Sequence, residues 1–178
     1  MQELKQIAPD RLAVSPHRLF NNQWLLLAAG DLSIGRWNAM TISWGSLGTM
    51  WGLPFAQVVV RPQRYTHEFM EKFDSFTLCV FPRASRAALE VMGSRSGRQG
   101  CKAQAAGLTP VAAAQVAAPA FAEAELILEC RKLFMQSMTP AALLDERARR
   151  CYPQADYHDM YFGEIVNIRG IPAYESVL

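Results

Sequence analysis

The sequence predicts a mainly β protein: an antiparallel barrel with a few short helices. Two observations carry that expectation. First, six or seven apolar or alternating runs of strand length recur between Trp24 and Arg169, and glycine or proline punctuates them. Second, the helical patterns between them are few and short, as in small antiparallel barrels. No internal repeat or linker composition interrupts the 178 residues, so residues 1–178 are expected to form a single domain.

Taken in order, the first twenty residues form a lead-in. Ser15-Pro16 is a helix-start pair, with serine as N-cap and proline at the first helical position, and it points to one turn over His17–Asn21. Trp24–Gly30 (WLLLAAG) is a buried strand closed by Gly30-Asp31, and a turn-rich loop runs to Asn38. In Ala39–Gly45 (AMTISWG), Met40, Ile42 and Trp44 fall on one face and Thr41, Ser43 and Gly45 on the other. The first face is core. The second, lined by two hydroxyls and a glycine, is either an ordinary solvated face or a surface that can approach a flat polar group.

Leu47–Leu53 is rich in glycine and aromatics, and Phe55–Arg61 is a strand stopped by Pro62. Thr66 opens a helix whose apolar side carries Phe69, Met70 and Phe73. Ser75–Phe81 is a strand, Ala84–Met92 a short helix, Gly93–Gly100 a glycine-rich loop, and Lys102–Ala106 a helical turn capped by Gly107. Ala112–Ala120 is irregular. Ala122–Leu133 alternates alanine, leucine and cysteine against glutamate and arginine, which predicts a half-exposed antiparallel strand. Pro140–Arg150 is expected as a helical insertion ending in a basic cluster, and Tyr161–Arg169 as the last strand.

Composition narrows the function. Apolar residues make up 51% and aromatics 10%, enough for a real core. The 18 basic and 16 acidic residues nearly balance, which argues against a nucleic-acid partner while leaving room for a small anion held by local charge. The longest apolar runs fall far short of the ~20 residues a membrane helix needs. Met1–Asp10 carries no apolar signal core, so no membrane association and a cytoplasmic location are expected. The four cysteines form no CxxC pair and no zinc spacing, and no other paired ligand spacing points to a metal. Cys79 and Cys130 sit in strand patterns as small buried hydrophobes.

Three segments could carry chemistry. RPQRYT at Arg61–Thr66 brings two arginines, a hydroxyl and a helix N-terminus together, a combination suited to an anion. An N-cap flanked by surface arginines explains it equally well. GSRSGRQGCK at Gly93–Lys102 offers small residues and donors, but it is neither the dinucleotide glycine fingerprint nor a P-loop. Its composition alone is that of a solvated loop. His158, just before the last strand, is an acid, a ligand contact or a surface residue.

Read together, NAMTISWG at Asn38–Gly45, VVVRPQRYTHEFMEKFDSFTLCVF at Val58–Phe81, SRSGRQGCK at Ser94–Lys102 and YHDMYFGEIVNI at Tyr157–Ile168 resemble the flavin reductase-like family of FMN-binding split barrels, in the subgroup of flavoredoxin-like proteins. The resemblance implies a split β-barrel and a homodimer with flavin in a groove near the interface. It implies that the flavin ring lies against Met40, Thr41, Ile42, Ser43 and Trp44. The phosphate would lie near Arg61, Arg64, Tyr65 and Thr66, with Ser96, Arg98 and Lys102 assisting, and His158 near the ring or the nicotinamide. Members often carry an acidic residue before the lysine, where this chain has Cys101. FMN is the expected cofactor, with FAD the alternative flavin and NAD(P)H the co-substrate. The expected activity is hydride transfer from NAD(P)H to flavin, with electrons passed on to free flavin, oxygen or a redox protein. The alternative is a non-enzymatic flavoredoxin-like carrier with bound FMN.

Overall fold

A computed structural model describes residues 3–176. Its strands are β1 (Lys5–Gln6), β2 (Leu25–Asp31), β3 (Arg36–Ile42), β4 (Gly45–Met50), β5 (Leu53–Val60), β6 (Ser75–Val80), β7 (Pro110–Val111), β8 (Ala120–Phe121), β9 (Leu126–Ser137) and β10 (Asp159–Gly170). The helices are α1 (Tyr65–Lys72), α2 (Arg86–Ser94), α3 (Lys102–Ala105) and α4 (Glu146–Arg149). The main sheet runs β3-β2-β6-β9-β10-β5-β4, antiparallel throughout, with β1 adding to β10. Its two end strands, β3 and β4, are consecutive in the chain and joined by Ser43-Trp44, yet they do not pair. The barrel is split there.

Two cores lie on opposite faces of the sheet. Inside, Leu25, Leu27, Phe76, Leu78, Leu128 and Tyr161 pack with Met70 of α1. Outside, Leu26, Ala28, Cys79 and Ile127 are covered by Leu89 and Met92 of α2 and by Phe121. β2 and β6 are therefore buried on both faces, which is why they read as unbroken apolar runs and not as alternation. Cys79 faces the outer core and Cys130 the inner one. Both are free, and burial pushes the Cys79 thiol up to about 12 and raises Cys130 as well. They behave as the small hydrophobes their strand positions indicate.

Three expectations need correction. The strand expected over Ala122–Leu133 begins at Leu126, and its polar face is not solvated where it crosses the barrel. Glu129 is fully buried under the 109–121 segment, accepting from the backbone N–H of Ala114 and Gln115 and from Asn167 Nδ2, with Arg169 at 3.2 Å. Alternation was misleading because a glutamate that finds four partners can face an interior. Second, β3 ends at Ile42, so Trp44 leaves the core face and is 43% exposed. Third, Pro140–Arg150 is not one helix. A 3-10 turn at Pro140–Ala142 and the single turn of α4 are all that form, because exposed Leu144 has no apolar face to dock on. Among the described residues no helix is long and apolar enough to cross a membrane.

The hairpin between β4 and β5 turns through Trp51 (φ 55°) and Gly52 (φ 73°), the two positive values of a type I′ turn. Placing tryptophan there is strained, and the side chain is 61% exposed.

Candidate functional site

The two sheet margins approach each other around a shallow pocket of about 160 Å³ lined by Met40, Thr41, Ile42, Ser43, Trp44, Val59, Arg61 and His158. Residues from three parts of the chain, ~118 positions apart between Met40 and His158, meet there because β10 pairs with β5 and β3 faces them across the open split. A second hollow of about 350 Å³ begins one residue earlier on β3 and is walled by Asn38, Tyr65, Gly97, Cys101 and Lys102. Between the two, Thr41 Oγ1 donates to the Leu89 carbonyl of α2 at 2.5 Å, and a Cβ on Gly93 would come within 3.3 Å of the Thr41 side chain. One of the two β3 hydroxyls is thus already committed, while Ser43 opens onto the pocket.

The cations form one end of the site. Arg64 precedes α1 in extended conformation and reaches across to the Gly93 carbonyl at 2.7 Å. Lys102, only 7% exposed, donates to the neighbouring Met92 carbonyl at 2.9 Å. Both donate to C-terminal carbonyls of α2, where a helix favours positive charge. Neither has a carboxylate partner among the described residues, and each keeps N–H donors beyond the one it uses. Burial pulls Lys102 down to about 8, and the charge of Arg64 adds to it. Burial also lowers Arg64, and Arg61 adds to that. Three cations therefore repel one another, with one carboxylate, Asp156, to offset them.

That carboxylate belongs to Arg61. Arg61 donates to Asp156 and to the Cys151 carbonyl at 2.9 Å, and its guanidinium lies 5.3 Å from the centre of the Tyr152 ring. Arg98 is likewise engaged, by Glu68 at 2.6 Å and the Gln63 carbonyl at 3.2 Å, and it lies over Tyr65. Ser96 caps the turn at Gly97–Gln99 by accepting from Arg98 N–H. Thr66 is buried and accepts from Asn38 Nδ2 at 2.8 Å, tying α1 to β3. Gly97 packs so close to Asn38 and Tyr65 that a Cβ there would clash. The structure therefore gathers all the phosphate-side residues of the sequence analysis around α1, α2 and α3. It leaves Arg64 and Lys102 as the cations not matched by an acid.

The other end is neutral. His158 is 8% exposed, with Nδ1 2.9 Å from the Tyr152 hydroxyl and its ring 5.2 Å from that of Trp44. Burial, followed by Arg61, lowers its pKa to about 4 against the opposing pull of Asp156 and Asp159, so the imidazole is uncharged at neutral pH. Asp159 pairs with His67 at 2.6 Å. Asn38, Tyr152, Asp156 and the His67–Asp159 pair were not singled out from sequence. The roles of Asn38, Asp156 and the His67–Asp159 pair depend on contacts spanning 28 to 95 positions, for which no local spacing gives a signal, and Tyr152 meets His158 six positions on only because the chain loops back there. Asp156, two positions before His158, was the one hint available. Among the described residues no group of three histidines, cysteines or acids could hold a metal.

A family model described as "Flavin reductase like domain" matches residues 18–176. No protein of curated function matches the chain. Among solved structures, an FMN-binding domain of a flavin reductase-like enzyme from Shewanella baltica superposes with a TM-score of 0.68 at 19% identity, covering 94% of this chain and 77% of that one. Flavoredoxin of Desulfovibrio vulgaris gives 0.66 at 20%, covering 90% and 75%. An NADH:FAD oxidoreductase of Streptomyces globisporus gives 0.65 at 16%, covering 86% and 77%. At these identities the likeness is one of fold.

Proposed function

The chain belongs to the flavin reductase-like family, and on that premise we propose that it binds FMN along β3 and passes hydride from NAD(P)H to the bound flavin. The observation that carries this reading is the pair Arg64 and Lys102. A buried lysine and a half-buried arginine, with spare donors and no acid beside them, are stabilised by an anion. They supply enough charge for one phosphate, and the sequence holds no dinucleotide fingerprint for an adenylate half, which favours FMN over FAD. Arg61, Tyr65, Thr66, Ser96 and Arg98 frame that end, Arg61 and Arg98 being held in place by Asp156 and Glu68.

When bound, the flavin supplies the hydride chemistry. The polypeptide has simpler tasks. The Ser43 hydroxyl and the backbone of Met40–Trp44 would offer hydrogen bonds along the ring edge, while Thr41, bound to the Leu89 carbonyl, would hold β3 against α2. His158 stands at the pocket mouth beside Trp44 as an uncharged group. There it would meet a bound ring without adding a charge that would disturb it. The names of solved neighbours include FMN-binding domains, a flavoredoxin and an NADH:FAD oxidoreductase, all compatible with a flavin here. Four free cysteines suit the reducing cytoplasm.

A second copy of the chain completes this proposal. Trp51 packs on Phe134 and Phe162 at ring distances of 6.2 and 6.5 Å, and Leu133, Phe134 and Met135 are 40–44% exposed. An aromatic patch on a strained hairpin tip is suited to an interface. Trp51→Ser is expected to raise the dimer dissociation constant ~30-fold or more. Sedimentation that finds the unaltered protein monomeric with flavin bound contradicts the dimer. The activity itself is tested by anaerobic stopped-flow. Saturable reduction of bound flavin by NADH or NADPH is expected. Reduction by dithionite alone leaves a flavoredoxin-like carrier.

A further inference from the structure

The segment between β9 and β10, residues 138–158, looks like a surface insertion but is fastened to the site. The Cys151 carbonyl and Asp156 hold Arg61, and Met138 N–H donates to the His158 carbonyl at 2.9 Å. Tyr152 is the innermost of these ties. It is 7% exposed, lies between Arg61 and His158, and brings its hydroxyl to 2.9 Å from His158 Nδ1 and 3.2 Å from Met138 Sδ.

A phenol has one proton to give. Imidazole nitrogen is a far better acceptor than a thioether, so the Tyr152 proton goes to Nδ1. A neutral histidine that accepts at Nδ1 carries its own proton on Nε2. Nε2 makes no hydrogen bond among the described residues and is not closed off from solvent, so it opens outward, where His158 lines the β3 pocket. We infer that Tyr152 is a positioning residue that locks His158 as the Nε2–H tautomer and aims that N–H at a hydrogen-bond acceptor, such as a carbonyl oxygen, on the ligand in the β3 pocket. The reference to a ligand rests on the flavin reading, whereas the tautomer does not.

The charged and titratable groups facing His158 are Arg61, Asp156, Asp159 and Tyr152. The imidazole stays neutral among them, as the assignment requires. The competing arrangement has His158 Nδ1–H donating to the phenol oxygen while the phenol donates to Met138. That would leave Nε2 as a bare acceptor and reverse the polarity presented to the ligand.

The test is ¹⁵N NMR of the histidine rings at neutral pH on the full-length protein, with and without added FMN. Of the three histidines, the His158 signals are those lost in His158→Gln. A protonated Nε2 and an unprotonated Nδ1 are expected, and Tyr152→Phe should give a mixture of tautomers. Met138→Leu, which removes only the competing acceptor, should leave the Nε2–H form intact. In the FMN-loaded protein, Tyr152→Phe should slow reduction by NAD(P)H about three- to tenfold, the worth of one neutral hydrogen bond, and weaken FMN binding by no more than that factor. A proton on Nδ1 in the unaltered protein overturns the inference, whatever the variants do. So does a Tyr152→Phe protein whose tautomer is unchanged. Failure of NAD(P)H to reduce the flavin overturns the reductase reading and leaves the tautomer measurement standing.

Discussion

The two ends of the candidate site along β3, the 350 Å³ hollow beside Lys102 and the smaller pocket at His158, are built in opposite ways. At one end half-buried Arg64 and buried Lys102 have donors to spare and no acid beside them. At the other, His158, Tyr152 and Trp44 form an uncharged wall in which the one buried imidazole already has a partner. Arg61 stands between them and is matched by Asp156. The contrast separates two kinds of work. The charged end gains from any ligand that brings an anion. The neutral end gains only from a group that fits its shape and its hydrogen bond. Binding strength should therefore be set at the first end and reactivity at the second.

The largest expected effect breaks the charged end. Arg64→Ala should weaken FMN binding by about 1.5–3 kcal/mol, the worth of a hydrogen bond to a charged group, and should change riboflavin binding far less. Fluorescence titration of the apoprotein with both ligands measures this. Equal losses for the two would mean that the substitution loosens α2, whose Gly93 carbonyl Arg64 also holds.

Lys102 gives a pH signature at the same end. Its pKa in the free protein is about 8, and a bound phosphate raises it. Above pH 8, binding must take up a proton, so FMN affinity should fall by up to about tenfold per pH unit until the bound-state value is reached. Below pH 8 the lysine is charged with or without ligand, and it contributes no slope. Lys102→Met should abolish the decline, as should replacing FMN by riboflavin. Titrations from pH 7 to 9.5 decide it.

The smallest effects belong to the neutral end. His158→Ala should slow flavin reduction about three- to tenfold while changing FMN affinity less than Arg64→Ala does. With its pKa near 4, His158 stays neutral from pH 5.5 to 8 and should place no inflection in the reduction rate over that range. For stability the sign is the usual one for a buried neutral histidine. Its folded pKa lies below the unfolded value, so stability drops as pH falls from about 6.5 toward 4 and levels off below that. Stopped-flow absorbance and chemical unfolding across this range measure the two separately.

The same contrast accounts for what was legible in the sequence. The charged end is local: RPQRYT sits on one strand-to-helix junction and SRSGRQGCK runs on from the end of α2, so both were visible as candidate segments, although an ordinary N-cap and a solvated loop explained them as well. Which of their cations are free was not legible, because Asp156 and Glu68 neutralise Arg61 and Arg98 from 95 and 30 positions away. At the neutral end His158 was visible by its place before β10, but Tyr152, just past the expected Pro140–Arg150 insertion, carried no signal. In the fold, unbroken apolar runs marked strands buried on both faces. Glu129 broke the pattern from the other side, since a buried acid with backbone partners is indistinguishable in sequence from a solvated one.

The claim that one end of the pocket holds a phosphate and the other a neutral ring is tested most directly by titrating the unaltered apoprotein with FMN, riboflavin and FAD under identical conditions. FMN is expected to bind at least tenfold more tightly than riboflavin, about 1.4 kcal/mol, and more tightly than FAD. Riboflavin binding as tightly as FMN would contradict the account, because the cations at Arg64 and Lys102 would then contribute nothing to holding the ligand.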